Sequence, residues 1–296
     1  MIGFVGIIGR GALGIMYYEA LSKALGSDHV FMLVDDSRYA RYKNETIISN
    51  QKEIFINYLS QKDAKALDLI IFTVKYPGLL SAIETVRPFV ADKTIVMSFL
   101  NGVTSEELIK EKLNPQHLLY TTVQGMDATY ENLHLSFNKM GYIAFGLGDE
   151  DKNTEDLKYV ANVFDKSGLK YEISSDITHQ LWSKWMLNCG VNQACAYYKV
   201  GYGGIQKEGE PRQAMLRAMK EAQAVAEKCG VKLSDEEYLN WVKLIDTLSP
   251  DGAPSMEQDR RANRENEVGL FAKTVCDLAA RFNLRVPQNE IFLKNL

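Results

Sequence analysis

The sequence predicts an α/β fold whose first half builds a parallel sheet and whose second half is purely helical. Two observations carry this. Short, continuous apolar runs rich in β-branched residues (Met1–Ile8, Val30–Val34, Leu67–Val74, Thr94–Leu100) alternate with helical patterns, as in strands buried on both faces. After Ser175 the alternation stops, and each remaining periodic segment has helical spacing. That shift divides the chain into residues 1–172 and 173–296. No Pro/Gly/Ser-rich linker intervenes, so two closely packed domains with a cleft between them are expected.

At 296 residues the chain is long enough for two domains of ordinary size. Its formal net charge of −4 argues against nucleic acid or an anionic membrane as partner. No apolar run approaches the ~20 residues that span a bilayer. The opening MIGFVGII leads straight into a strand without a secretory signal, which makes the cytoplasm the expected location. The four cysteines, Cys189, Cys195, Cys229 and Cys276, show no CxxC spacing. Free thiols are therefore expected, with no metal site.

The first strand runs into Gly9-Arg10-Gly11-Ala12-Leu13-Gly14 and then a helical stretch. Strand, GxGxxG and helix in that order form a dinucleotide fingerprint. The first glycine permits the turn, the second admits the pyrophosphate, and the third lets helix pack on strand. The helix N-terminus offers N–H groups to phosphate. This makes the first half a Rossmann-type dinucleotide-binding domain. The second strand ends at Asp35-Asp36, placed to accept the ribose hydroxyls of NAD(H), although the same stretch also suits a helix cap at Asp36. Arg38 and Arg41 follow closely enough to hold a 2′-phosphate instead. Lys75 and Asn101 stand just past the ends of later strands, at the edge where open α/β sheets bind ligands.

Residues 45–60 suggest a hairpin turning at Asn50-Gln51-Lys52 and decorating the sheet. Further strands are expected at Leu118–Gln124, Asn132–Phe137, Tyr142–Leu147 and Lys170–Ser174, with a helix from Thr154 to Lys166. In the second half Gln180–Tyr198 is apolar on nearly every side, the mark of a buried helix. Lys184, Asn188 and Asn192 nevertheless recur along it at i, i+4 and i+8, forming one polar stripe. Buried amides and an ammonium need partners, and a polar ligand is the partner expected. Helices at Pro211–Cys229 and Ser234–Leu248 follow. A capping box at Ser255–Gln258 then predicts one long helix to about Phe282, stacking Asp259, Asn263 and Glu267 on a single stripe.

Taken together, GRGALG, TVK, NG, WSKWMLNCGVN, and PSMEQD followed by Glu267 resemble the ketopantoate reductases (2-dehydropantoate 2-reductases) along the whole chain. The resemblance implies reduction of 2-dehydropantoate to D-pantoate in pantothenate and coenzyme A synthesis. It implies NADP(H) as cofactor, with NAD(H) kept open by Asp35 and Asp36. Lys184 then corresponds to the general acid. Glu267 matches the acid that holds the substrate hydroxyl and helps place that lysine. Asn101, Asn188, Asn192 and Ser255 match substrate-orienting groups, and Lys75 a lysine near both ligands. A cationic donor beside the carbonyl suits a reaction that builds charge on oxygen. Ser255 and Glu267 on one straight helix would lie about 18 Å apart. The regular helix is therefore expected to begin after Ser255, leaving the serine in the loop. Two other readings stay open: an NADH-dependent D-2-hydroxyacid dehydrogenase acting on other branched 2-keto acids, and a non-catalytic dinucleotide sensor. The partner expected is a small 2-keto acid, with a homodimer among the possible assemblies.

Overall fold

The computed structural model describes residues 3–148 and 151–296, so the Met1–Ile2 end of the expected first strand lies outside the described residues. The chain divides into two compact units, Met1–Ile177 and Thr178–Leu296.

The first unit contains β1 (Val5–Ile8), α1 (Ala12–Leu25), β2 (Val30–Val34), α2 (Asp36–Tyr42), β3 (Ile47–Ser49), β4 (Lys52–Ile54), β5 (Tyr58–Ser60), β6 (Leu69–Phe72) and α3 (Leu79–Val86). It continues with β7 (Ile95–Ser98), α4 (Ser105–Leu113), β8 (His117–Met126), β9 (Thr129–Glu131), β10 (His134–Ser136), β11 (Met140–Leu147), α5 (Thr154–Lys166) and β12 (Tyr171–Ile173). Eight strands form one sheet in the order β12-β11-β8-β7-β6-β1-β2-β5. All its pairings are parallel except β11 with β8.

Period-two alternation separates the two faces of this sheet. Val5, Ile7, Met32, Leu69, Ile71 and Met97 pack with Ile15, Met16 and Leu21 of α1 and Val160, Val163 and Phe164 of α5. Ile8, Leu33, Ile70, Phe72 and Val96 pack with Leu79, Ala82, Ile83 and Val86 of α3 and Ile109 of α4. Helices thus cover both faces, which is why the strands are apolar throughout.

The 45–60 region departs from the expected decoration. β3 and β4 do form a hairpin, with Asn50 and Gln51 both at positive φ, the requirement of a two-residue type I′ turn. It belongs, however, to a separate four-stranded sheet, β4-β3-β10-β9, while β5 leaves it to pair with β2. The expected Asn132–Phe137 strand is present in shortened form as β10, which pairs with β9 in a hairpin turning through Asn132 and Leu133 at positive φ.

The second unit is helical. It contains α6 (Ile177–Tyr198, whose first residue falls in the first unit), α7 (Tyr202–Gln206), α8 (Glu210–Lys228), α9 (Asp235–Thr247), α10 (Ser255–Arg261), a π-helical turn (Gly269–Lys273), α11 (Thr274–Arg281) and α12 (Pro287–Asn295). The near-uniform apolarity of α6 corresponds to burial: Trp185, Met186, Cys189, Ala194 and Cys195 are all at most 1% exposed. At Gly190 a Cβ would sit 2.8 Å from the Met215 carbonyl oxygen and 2.4 Å from Met219 Cγ. The glycine therefore lets α8 approach through its buried Ala214, Ala218 and Ala222 side.

The long helix expected after Ser255 is broken. Asn263 takes a left-handed φ of 52°. Its N–H donates to Arg260 O at 3.1 Å, and Arg264 N–H donates to Asp259 O at 2.8 Å. These are the two reversed bonds of a Schellman stop with asparagine in the glycine position. Asp259, Asn263 and Glu267 consequently share no helical stripe. The start of the helix differs as well. Pro254 is the N-cap and Ser255 the first helical residue, with no side-chain cap, so neither the capping box nor a loop position for Ser255 holds.

Candidate active site

Four C-terminal strand ends of the first unit line up in register: Ile8 with Leu33 on one side and with Phe72 on the other, and Phe72 with Ser98. The fingerprint loop leaves β1 there, and its three glycines have separable roles. Gly9 has φ 123°, and a Cβ on it would meet the Thr73 backbone at 2.6 Å. A Cβ on Gly14 would fall 1.8 Å from Gly9 O, so α1 presses on the strand loop through that position. At Gly11 a Cβ would meet nothing within 4 Å. Open space above that glycine is what a pyrophosphate needs to reach the backbone. Thr73 Oγ1 donates toward Ile8 O and Gly9 O at 3.1 and 3.0 Å, tying β6 to the turn. Gly11 caps α1 without a side chain, leaving the helix start to Ala12 and Leu13, whose N–H groups can serve an anion. The donor set fits a dinucleotide.

Arg10, in contrast, turns its side chain toward the segment after α2. Its side chain is 9% exposed, pairs with Glu45 at 2.5 Å, and lies over the Tyr42 ring at 4.1 Å. It straps the fingerprint loop to the segment after α2.

Asp35, rather than Asp36, caps α2. Its carboxylate accepts Ser37 Oγ–H and Arg38 N–H at 2.7 Å each, and Arg38 Nη1–H at 2.6 Å. Partial burial opposes ionisation of Asp35. The hydrogen bonds from Arg38 N–H and Ser37 and the Arg38 guanidinium outweigh it and hold the carboxyl below its usual range. Arg38 is thereby committed to Asp35, while Asp36 pairs with Lys62 at 3.1 Å and Arg41 donates to the Tyr42 phenol at 2.8 Å.

Lys75 is exposed, three residues past the end of β6. Asn101 is half-buried, three residues past β7, and Gly102 follows at φ 94°. Residues not singled out from sequence close this loop. Ser98 and Ser105, at its two ends, share a 2.8 Å hydroxyl–hydroxyl bond. Ser105 donates to Glu106 at 2.7 Å. Burial pushes the Glu106 carboxyl up to about 7 against the opposing Ser105 hydrogen bond. The only sequence signal for this arrangement was Ser-Glu-Glu opening a helix, which reads equally well as a solvated first turn.

In the second unit, α6 holds Lys184 half-buried, Asn188 at 9% exposure and Asn192 at 5%. Asn192 Oδ1 accepts Ser255 Oγ–H at 3.1 Å and Met256 N–H at 3.3 Å. The structure thus joins two predicted site residues 63 positions apart. It also places the Met256 N–H on Asn192. Glu267 is 9% exposed and lies between α10 and the π-helical turn. Asn266 anchors this segment by donating to Leu296 O at 2.9 Å and accepting Val268 N–H at 3.0 Å. Among the described residues, no group of three or more His, Cys, Asp or Glu is placed to hold a metal. No helix of the described residues is long and apolar enough to cross a membrane. All four cysteines are free thiols.

Known proteins share both the sequence and the architecture. The chain is 24% identical over 289 residues to the 2-dehydropantoate 2-reductase of Streptococcus pyogenes serotype M6, covering 95% of this chain and 92% of that one. The crystal structure of 2-dehydropantoate 2-reductase from Geobacter metallireducens GS-15 superposes with a TM-score of 0.83 at 20% identity, over 99% and 98% of the two chains. D-mandelate dehydrogenase in complex with NADH gives 0.85 at 19% identity, over 98% and 96%. Residues 5–150 match the family model described as ketopantoate reductase PanE/ApbA, and residues 176–296 match its C-terminal counterpart. With the fingerprint, the helical second unit and these matches spanning nearly the whole sequence, the chain belongs to the ketopantoate reductase family of NAD(P)-dependent oxidoreductases.

Proposed function

We propose that this chain reduces 2-dehydropantoate to D-pantoate, with Lys184 as general acid. The observation that carries the reading is the Asn192–Ser255 bond at 3.1 Å. It joins the polar stripe of α6 to a hydroxyl from a distant segment. The Met256 N–H on Oδ1 also fixes which way the amide faces, because a backbone N–H needs the oxygen end. Asn192 therefore presents Nδ2 as a donor, and the Ser255 oxygen keeps lone pairs that accept. A small, oxygen-rich 2-keto acid suits this set.

When bound, the reduced nicotinamide supplies the hydride to the C2 carbonyl carbon. Lys184 transfers a proton from Nζ to the carbonyl oxygen, and its charge stabilises the developing alkoxide. Asn188, Asn192 and Ser255 orient the acid, Glu267 accepts the substrate hydroxyl, and Asn101 and Lys75 serve the strand-end side of the ligands. A product alcohol and an oxidised cofactor balance the step.

A second reading is favoured by Asp35. A carboxylate at the end of β2, already paired with Arg38, repels a 2′-phosphate and tolerates a ribose diol. It favours NADH, and with it a D-2-hydroxyacid dehydrogenase acting on other branched keto acids.

The deciding measurement is steady-state turnover of 2-dehydropantoate, 2-ketoisocaproate and phenylglyoxylate with each cofactor. A preference for an acid lacking the hydroxymethyl group overturns the pantoate assignment. Lys184→Ala is expected to lower kcat by roughly 10²–10⁴-fold while leaving dinucleotide binding intact. Survival of turnover in that variant refutes the mechanism.

A further inference from the structure

The π-helical turn at Gly269–Lys273 begins two residues after Glu267. A π turn carries one residue more than the α-helical ladder accommodates, displacing backbone groups from the regular pattern. The Lys273 N–H reaches back five residues to Val268 O at 3.1 Å. The Ala272 N–H instead donates outward to Gln193 Oε1 at 2.8 Å, and Leu270 O accepts Trp185 Nε1–H at 2.9 Å. Both partners lie on α6.

Trp185 and Gln193 each follow a member of the polar stripe by one residue, Lys184 and Asn192 respectively. One residue is about 100° of helix rotation. The face of α6 beside the stripe therefore grips the π turn at two points eight residues apart, one binding a backbone donor and the other an acceptor.

The grip is rigid. Gln193 is 0% exposed and Trp185 1%. Gln193 Nε2 is committed too, donating to Cys189 O at 2.7 Å and to Asn289 Oδ1 at 3.0 Å. Asn289 is in turn bonded to Glu221 of α8 through its backbone N–H at 2.9 Å and Nδ2 at 2.7 Å. Apolar packing would be the simpler way to fill this core. Buried side-chain amides bonded at both their oxygen and nitrogen ends fix a unique arrangement instead.

We propose that Gln193 and Trp185 are positioning residues. By holding the π turn against α6, they set the place of Glu267 relative to the helix that carries Lys184, Asn188 and Asn192. The inference rests on the substrate-binding role assigned to Glu267 above. It adds that this role depends on two side chains that never touch substrate.

The test uses the full chain with Trp185→Phe, which keeps a six-membered aromatic ring and removes the N–H together with the five-membered ring, and Gln193→Met, which keeps the volume and removes both amide functions. Each is combined with Glu267→Gln. Each single variant is expected to lower kcat by about tenfold or more, as misplacement of an orienting group does, with the nicotinamide-fluorescence Kd for the dinucleotide unchanged. In the Glu267→Gln background, neither is expected to lower kcat further. A purely structural role would lower the thermal midpoint and leave kcat per folded molecule intact, which overturns the proposal. A full additional loss on top of Glu267→Gln overturns it while leaving the reading of Glu267 standing. Wild-type turnover in Glu267→Gln alone overturns both. Should Gln193→Met fail to fold, Trp185→Phe decides by the same criteria.

Discussion

Asn192 and Ser255 are joined by a 3.1 Å hydrogen bond in which the serine hydroxyl donates to the amide oxygen. That oxygen also accepts the N–H of Met256, which is 0% exposed. Asn192→Ala strands a buried N–H, so a stability loss of about 1–3 kcal/mol is expected in denaturant unfolding. Asn192→Asp keeps the acceptor and removes the Nδ2 donors. Its stability should stay near wild type while KM for the keto acid rises about tenfold or more, the effect of removing one charge-assisted bond. Equal damage to folding in both variants would show that Asn192 serves structure alone.

The fingerprint glycines should separate in the same manner. A Cβ at Gly11 meets nothing within 4 Å, whereas one at Gly14 lies 1.8 Å from Gly9 O. Gly11→Ala is therefore expected to leave the thermal midpoint almost unchanged and to weaken dinucleotide binding, since the methyl occupies the approach to the backbone. Gly14→Ala should lower the midpoint even without cofactor. Differential scanning fluorimetry with and without dinucleotide reads both effects, and a destabilised Gly11→Ala protein would contradict the geometry.

Asp35→Ser retains a capping oxygen for α2 and removes the carboxylate that holds Arg38 at 2.6 Å. The released guanidinium then becomes available to a 2′-phosphate. The ratio of kcat/KM for NADH over NADPH should fall by about tenfold, equivalent to about 1.4 kcal/mol. No change in that ratio would place cofactor choice elsewhere.

Glu106 carries a pH signature. Burial raises its carboxyl from 4.5 to about 7, so the folded state binds a proton that the unfolded state has lost between those values. The stability this supplies is fully present below about 4.5 and is lost as pH rises through about 7, by about 3 kcal/mol in total. Glu106→Gln, which stays neutral and can still accept from Ser105, should abolish that dependence and be the more stable protein above pH 7. Unfolding free energies from pH 4.5 to 8 provide the check. Parallel pH curves for the two proteins would mean that Glu106 ionises as an ordinary surface carboxylate.

Much of this protein is a matter of local pattern. The parallel strands were legible because a strand covered on both faces is apolar at each position, α1 because a helical pattern follows the glycine fingerprint, and α6 because it is apolar on nearly every side. Candidate site residues stood out where residue type conflicted with surroundings: three polar side chains on an otherwise apolar helix, and three glycines between strand and helix. The break after α10 was less accessible, because an asparagine within a helical period is tolerated as readily as it terminates. Only the two reversed hydrogen bonds at Asn263 decide the matter.

The exchange between Asp35 and Asp36 has a similar cause. Adjacent acids after a strand look alike in one dimension, and the turn into α2 selects which carboxylate faces the helix N–H groups. The burial of Arg10 under Tyr42 and the Ser98–Ser105–Glu106 closure of the Asn101 loop depend on partners whose approach no periodicity encodes. For the helix first noticed for its polar stripe, the sequence alone determined that Lys184, Asn188 and Asn192 share a face, because helical spacing is a local property. Only the tertiary structure decided that Asn192 meets Ser255 and that Trp185 and Gln193 grip the π turn beside Glu267. Those pairings arise from packing between segments 63 to 85 residues apart, and hydrogen bonds of that range are set by where the chain folds back.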